Sequence, residues 1–176
     1  MIIGDKIQIR PATLQDKRKV FDWLTNSNLT KEMMGLPNFP DAQIPTWDEF
    51  DNDYLDHYFD GSAPLKGRCF IIIEEGNEVG QINYNTIDNE TNNTDLDIWL
   101  SDIKHTGRGI GTEAIQLLCN YLFKEFGCKQ IAMAPSKRNK NAIKSYEKAG
   151  FEMTDKQLDE SEKDYEDNVV MIKKMT

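Results

Sequence analysis

Thr106-Gly107-Arg108-Gly109-Ile110-Gly111-Thr112, followed further along by Asn139-Lys140-Asn141-Ala142-Ile143-Lys144-Ser145-Tyr146-Glu147-Lys148-Ala149-Gly150-Phe151, are the two stretches that decide the fold. Three glycines at alternate positions strip the side chains from a short loop and leave its N–H groups uncovered. Directly after them, Ile110, Ala114, Ile115, Leu117, Leu118, Tyr121 and Leu122 trace the apolar stripe of a long helix. A helix N-terminus carries unpaired amides and about half a positive charge. Loop and helix together therefore form a cradle for a pyrophosphate. The spacing is not that of a Rossmann G-x-G-x-x-G, and the G-K-[ST] of a P-loop is absent. Taken alone, the loop reads equally well as a tight turn.

Working outward from this loop, residues 94–100 alternate cleanly. Leu96, Ile98 and Leu100 share one face, and Asp95, Asp97 and Trp99 the other. Residues 69–74 form an apolar strand, Gly76-Asn77 a turn, and residues 78–87 the returning strand. Earlier, Ile7-Gln8-Ile9-Arg10 reads as a first strand. Thr13 caps a helix running to about Leu24, with Asp16 near its positive end. Thr46-Trp47-Asp48-Glu49 is a capping box opening a second helix to about Phe59. Residues 33–45, with three prolines and a glycine, read as loop. Beyond the long helix come a short strand at residues 130–134, a helix at residues 139–148 closed by Gly150, and a strand pair at residues 151–154 and 168–175 joined by an acidic loop. The order β-α-α-β-β-β-α-β-α-β-β predicts an α/β fold, a mixed sheet flanked by helices. The length suits one domain spanning residues 1–176.

Composition excludes several classes. No apolar run approaches the ~20 residues of a membrane span. Met1-Ile2-Ile3-Gly4-Asp5 lacks the basic and apolar regions of a signal peptide. A cytoplasmic protein without membrane contact is expected. Cys69, Cys119 and Cys128 have neither the number nor the spacing of a disulfide framework or a zinc site, so no metal is expected. Only His57 and His105 are present to activate a thiol, and Cys119 falls on the apolar helix stripe. Residues 104–148 carry nine Lys/Arg against three Glu, a net +6, while the whole chain carries −9. One segment thus suits a polyanionic ligand, and the remainder, at −15, suits cations. The basic segment is too narrow, and the chain too acidic, for nucleic acid.

The pair G-R-G-I-G-T and N-x-x-A-I-x-x-Y-E-K-x-G-F resembles the two acetyl-CoA motifs of the GNAT acetyltransferase superfamily. The likeness covers residues 94–155 well and the rest loosely. It implies a GNAT-like fold, acetyl-CoA as acetyl donor and an N-acetyltransferase. It also implies roles at matching positions. The backbone of Trp99, Leu100 and Ser101 pairs with the pantetheine arm. Thr106, Gly107, Arg108, Gly109, Ile110, Gly111 and Thr112 take the pyrophosphate. Asn139 bonds the cofactor arm, and Tyr146 lies near the thioester sulfur and protonates the leaving thiolate. Lys137, Arg138, Lys140 and Lys144 reach the adenosine phosphates or form a solvated helix face. Thr106 departs from the Gln or Arg usual in the family.

A protonated alkylamine is not nucleophilic, so the enzyme must bind a cation and remove its proton. Asp97, just before the cofactor-binding end of its strand, is the candidate general base, directly or through water. Asp95, Trp99 and Trp47 are candidate substrate contacts, with Asp48, Glu49, Asp51, Asp53, residues 33–45 and residues 159–167 as further acceptor wall. Within the superfamily the motifs are most similar to aminoglycoside 6'-N-acetyltransferases, whose aspartate at the Asp97 position contacts the amine. This implies a cationic small-molecule acceptor and antibiotic resistance. Acetylation of a protein N-terminus or of a polyamine, and a catalytically silent acetyl-CoA-binding module, are the alternatives. Exposed edge strands make a homodimer conceivable.

Overall fold

The computed structural model describes residues 1–31, 44–158 and 167–175. Short β1 (Ile2–Ile3) returns through Gly4 into β2 (Ile7–Pro11). After a single 3₁₀ turn (Leu14–Asp16) the chain enters α1 (Lys17–Asn26). Next come α2 (Trp47–Asp53) and α3 (His57–Asp60). A hairpin of β3 (Arg68–Glu74) and β4 (Asn77–Tyr84) leads to β5 (Asn93–Leu100). The second half consists of α4 (Ile110–Phe126), β6 (Gln130–Met133), α5 (Lys140–Lys148), β7 (Glu152–Met153) and β8 (Met171–Lys174).

The strands make one mixed sheet in the order β1-β2-β3-β4-β5-β6-β8-β7. Its only parallel neighbours are β5 and β6; every other pair among the described strands is antiparallel. Side-chain alternation divides the strands between two cores. Ile7, Ile9, Phe70, Ile72, Ile82 and Leu96 pack with Ile110, Ala114, Ile115, Leu118 and Leu122 of α4 and Ile143 of α5. Cys69, Ile71 and Trp99 pack on the opposite face with Val20 and Phe21 of α1, Phe50 of α2 and Phe59 of α3. The sheet is therefore buried on both sides.

The architecture is the expected mixed α/β sheet, with local differences. A strand pair, β1–β2, stands where one strand is expected. The Asp16 carboxylate accepts from both the backbone N–H and the hydroxyl of Thr13, at 2.8 and 3.0 Å, so the first helix opens as a 3₁₀ turn. The second helix breaks at Tyr54, whose φ and ψ of −97° and 74° are not helical. There the Tyr54 ring stacks on Phe50 at 4.7 Å and meets Trp99 edge-on at 5.8 Å. Finally, β4 stops at Tyr84, three residues short of Ile87. Of the expected loops, residues 33–45 are described only at Ile44 and Pro45, and residues 159–167 only at Asp167. No helix among the described residues is long and apolar enough to cross a membrane.

Candidate active site

The glycine loop closes the gap between β5 and α4. Gly107 and Gly109 adopt φ of +70° and +87°, a region that side chains disfavour. Gly109 is the N-cap of α4 and offers no capping side chain. The first intrahelical bond comes from Glu113 N–H to Gly109 O at 3.0 Å. Ile110, Gly111 and Thr112 thus precede the helix's own acceptors and present their amides outward. Thr106 is exposed, its hydroxyl donating to Ile103 O at 2.7 Å. The Arg108 guanidinium is held by both oxygens of Glu74 at the end of β3, each at 2.9 Å.

α5 lies against the first turn of α4. The hydroxyls of Thr112 and Ser145 are 2.9 Å apart, and Gln116 donates to Lys148 O at 3.3 Å. A Cβ on Gly111 would stand 3.7 Å from Ser145 Oγ and 3.8 Å from Ile98 Cδ1, so helix, helix and strand converge there. Asn139 caps α5, its side-chain oxygen accepting from Ala142 N–H at 3.0 Å. Tyr146 is half-buried among the core residues on this face, 6.4 Å between ring centroids from Phe151. Lys137, Lys140 and Lys144 are exposed, whereas Arg138 is paired with Asp167 at 3.0 Å.

Between these helices the sheet opens. β6 pairs with β5 only at Asn93, Thr94 and Asp95, although β5 continues to Leu100. Asn85 N–H bonds Asp95 O, and Ser101 N–H bonds Val79 O, so the odd-numbered residues of β5 turn their backbone groups towards β4. Antiparallel alternation then directs those of Ile98 and Leu100 to the edge that β6 has left. Of Trp99, Leu100 and Ser101, it is Leu100 whose backbone faces the gap. A strand edge facing a gap, beside a helix N-terminus with glycine at positions 109 and 111, fits an amide-containing arm ending in a pyrophosphate, which is the chemistry of coenzyme A.

On the other face of β5 lies a polar cluster. Asp97 Oδ2 accepts from Asn85 Nδ2 at 3.0 Å and from Asn83 Nδ2 at 3.3 Å. Asn85 Nδ2 also donates to Asp95 Oδ2, and Tyr58 donates its hydroxyl proton to Asn85 Oδ1 at 2.9 Å. Burial raises the Asp97 carboxyl above its ordinary range, against the opposing hydrogen bonds from Asn85 and Asn83. Burial, with Asp97 and Asp95 nearby, likewise pushes the Tyr58 hydroxyl up to about 12. Gln81 and Asn83 are fully buried, and Gln81 Nε2 and Asn83 Oδ1 have no partner among the described residues.

The structure brings Asp95 and Asp97 together but places the two tryptophans elsewhere. Trp99, expected as a substrate contact, is a core residue: 7 % exposed, with its indole N–H donating to Val20 O at 3.3 Å. It holds α1 to the sheet, because the α1 side of β5 is covered at that position. Trp47 packs edge-on against Phe21 at 5.3 Å, beneath the Arg18 guanidinium. Of the acids on α2, Glu49 serves the capping box and Asp51 pairs with Lys17. The sequence reading passed over Tyr58, Asn83 and Asn85. A signal for the two asparagines was present: Gln81, Asn83 and Asn85 alternate along one strand, the period that places side chains on a single face.

A model of the acetyltransferase (GNAT) domain matches residues 6–152. The chain therefore belongs to the GNAT acetyltransferase family and is an acetyl-CoA-dependent N-acetyltransferase. Among curated relatives it is similar to the aminoglycoside N(6')-acetyltransferase type 1 of Klebsiella pneumoniae, 26% identical over 159 residues, covering 85% of this chain and 75% of that one. Its fold is similar to that of AAC(6')-Ib in complex with ribostamycin and coenzyme A, with a TM-score of 0.74 at 22% identity over 97% of this chain and 94% of that one. It is also similar to spermidine N-acetyltransferase from Vibrio cholerae in complex with CoA and spermine, with a TM-score of 0.72 at 18% identity over 97% and 96% of the two chains.

Proposed function

We propose that this enzyme acetylates a primary amine on a polycationic small molecule, an aminoglycoside before others, by direct attack within a ternary complex. The observation that carries this reading is the pair of carboxylates, Asp95 and Asp97, joined through one asparagine beside the open edge of β5. With a pKa near lysine's ~10.4, only about one amine in several thousand is neutral at pH 7. Asp97 meets the ammonium and takes its proton; its raised pKa makes it a stronger base than an exposed aspartate. Asp95 is exposed and adds a second negative charge for a cationic acceptor. The net charge of −9 draws such acceptors in.

Acetyl-CoA, when bound, supplies the thioester carbon that the amine attacks. The amides of Arg108 to Thr112 would hold its pyrophosphate, with Gly107 shaping the loop, and Asn139 would bond its arm. The Leu100 N–H faces the gap and would donate to the oxygen on which negative charge develops. The Tyr146 hydroxyl would return a proton to the departing sulfur. No acetyl-enzyme is needed, since Cys69, Cys119 and Cys128 are all buried. A second reading, acetylation of a linear polyamine, is favoured by the fold likeness to the spermidine enzyme.

Free-thiol release from acetyl-CoA tests the reading against kanamycin-type aminoglycosides, spermidine and peptides with free N-termini. Turnover with an aminoglycoside, abolished in Asp97→Asn, is expected. Turnover confined to spermidine replaces the first reading with the second, and turnover confined to peptides overturns both.

A further inference from the structure

Asn85 follows β4 directly, and every polar group it owns is engaged. Its backbone N–H donates to Asp95 O at 3.0 Å, and its carbonyl accepts from Thr94 Oγ1 at 3.0 Å. Its side-chain oxygen accepts from the Tyr58 hydroxyl at 2.9 Å and from Asn83 Nδ2 at 3.0 Å. Its side-chain nitrogen donates to Asp97 Oδ2 at 3.0 Å and to Asp95 Oδ2. A carboxamide offers two N–H donors and an oxygen with two lone pairs, so its capacity is filled. Turning the amide over would set its oxygen against two carboxylates, and only one orientation survives.

We infer that Asn85 is the positioning residue of the acceptor site: it holds the carboxyl groups of Asp97 and Asp95 side by side for the incoming amine, and Tyr58 locks it in that orientation. This rests on the proposed role of Asp97 as base. Of the titratable groups around this cluster, Asp95 and Tyr58 share Asn85 with Asp97, and Tyr58 is in turn packed against His57 and Tyr54 and lies near Cys69. Tyr58 and Cys69 are both pushed up by burial and stay neutral through the working range. Burial opposes the Asp97 charge, and the Asn85 N–H groups, with that of Asn83, offset it. Removing them makes the Asp97 anion harder to form.

The test is the pH dependence of kcat/KM for the acceptor, measured by thiol release in the full chain, with thermal melts confirming folding. In Asn85→Ala the acid limb is expected to move up by about one pH unit, the size of a lost hydrogen bond to a charged group. Tyr58→Phe is expected to move it the same way by less, and the double variant to match Asn85→Ala, because Tyr58 acts through Asn85. An unmoved limb, with activity either intact or lowered equally at every pH, overturns the inference. Should Asn85→Ala fail to fold, Tyr58→Phe decides the matter, since it deletes one oxygen and a limb unmoved there is equally fatal. Asp97→Asn separates the two levels. Turnover surviving in that variant removes the base itself, whereas an inactive Asp97→Asn beside an unmoved limb in Asn85→Ala removes only the role of Asn85.

Discussion

Alanine at the three loop glycines is expected to act with opposite signs. Gly107 and Gly109 sit at φ of +70° and +87°, while Gly111 lies inside α4. A Cβ at Gly107 meets nothing within 4 Å, and one at Gly109 comes no closer than 3.9 Å, to Lys6 Nζ. Steric clash is absent, so the cost at either site is that of a left-handed backbone, about 1–2 kcal/mol. At Gly111 the new methyl would make ordinary contacts with Ser145 Oγ and Ile98 Cδ1, and alanine in a helix gains roughly 0.5–1 kcal/mol over glycine. For a chain of this size one kcal/mol moves Tm by about 2–4 °C. Gly109→Ala should therefore melt about 2–8 °C lower than the parent, and Gly111→Ala about 1–4 °C higher. The loop can relieve left-handed strain only by rotating the peptides on either side of residue 109, which re-aims amides assigned to the pyrophosphate. Gly109→Ala should thus also weaken acetyl-CoA binding, and Gly111→Ala should leave it nearly unchanged. Differential scanning fluorimetry and calorimetric titration with acetyl-CoA read both quantities. Wild-type melting and affinity in Gly109→Ala, or a destabilised Gly111→Ala, would refute this account of the loop.

Two further expectations concern stability and mechanism. Burial opposes ionisation of Asp16, but hydrogen bonds from Arg10, Lys19 and Thr13 hold its carboxyl well below the usual range. Its contribution is therefore fully present above the unfolded value near 3.8 and is lost as pH falls towards the folded one. Asp16→Asn should lower stability at neutral pH by about 2–3 kcal/mol and weaken the acid dependence of urea unfolding below about pH 4. An unchanged acid profile would assign that dependence to other carboxylates. All three thiols are buried, and burial pushes Cys119 up to about 12. Ellman's reagent should meet no reactive thiol in the native protein and three after denaturation; a native protein that reacts at once and carries a transferable acetyl group on cysteine would contradict direct transfer.

The parts of the fold legible in the sequence are those governed by local rules. The alternation at residues 94–100 matches β5, the long apolar stripe matches α4, and Gly150, at φ +93°, stands just past α5 where a left-handed residue closes a helix. The boundaries that differ are those set by distant partners. No local signal in residues 46–59 announces a break at Tyr54, whose ring meets Trp99 on another element. Trp99 misled for the same reason. Strand alternation puts it on the side of Asp95 and Asp97, and only the position of α1 reveals that this side is covered at residue 99 and open towards residue 95.

The candidate site divides along the same line. The glycine loop is legible because backbone conformation restricts which residues can occupy it. The parting of β5 from β6 after Asp95 has no sequence signature, since a strand that loses its neighbour keeps the same alternation as one that does not. That parting nonetheless gives the loop its use. It leaves the Leu100 amide turned into the gap beside the first turn of α4, while the opposite face of the same strand carries Asp97. On the proposed reading, a single strand would address a donor through its backbone edge and an acceptor through its side chains. The asparagines of β4 and the residue after it gain their place by the same logic: antiparallel pairing sets Asn83 opposite Asp97, so residues that merely alternate in one strand form a hydrogen-bonding floor under the proposed base in the next.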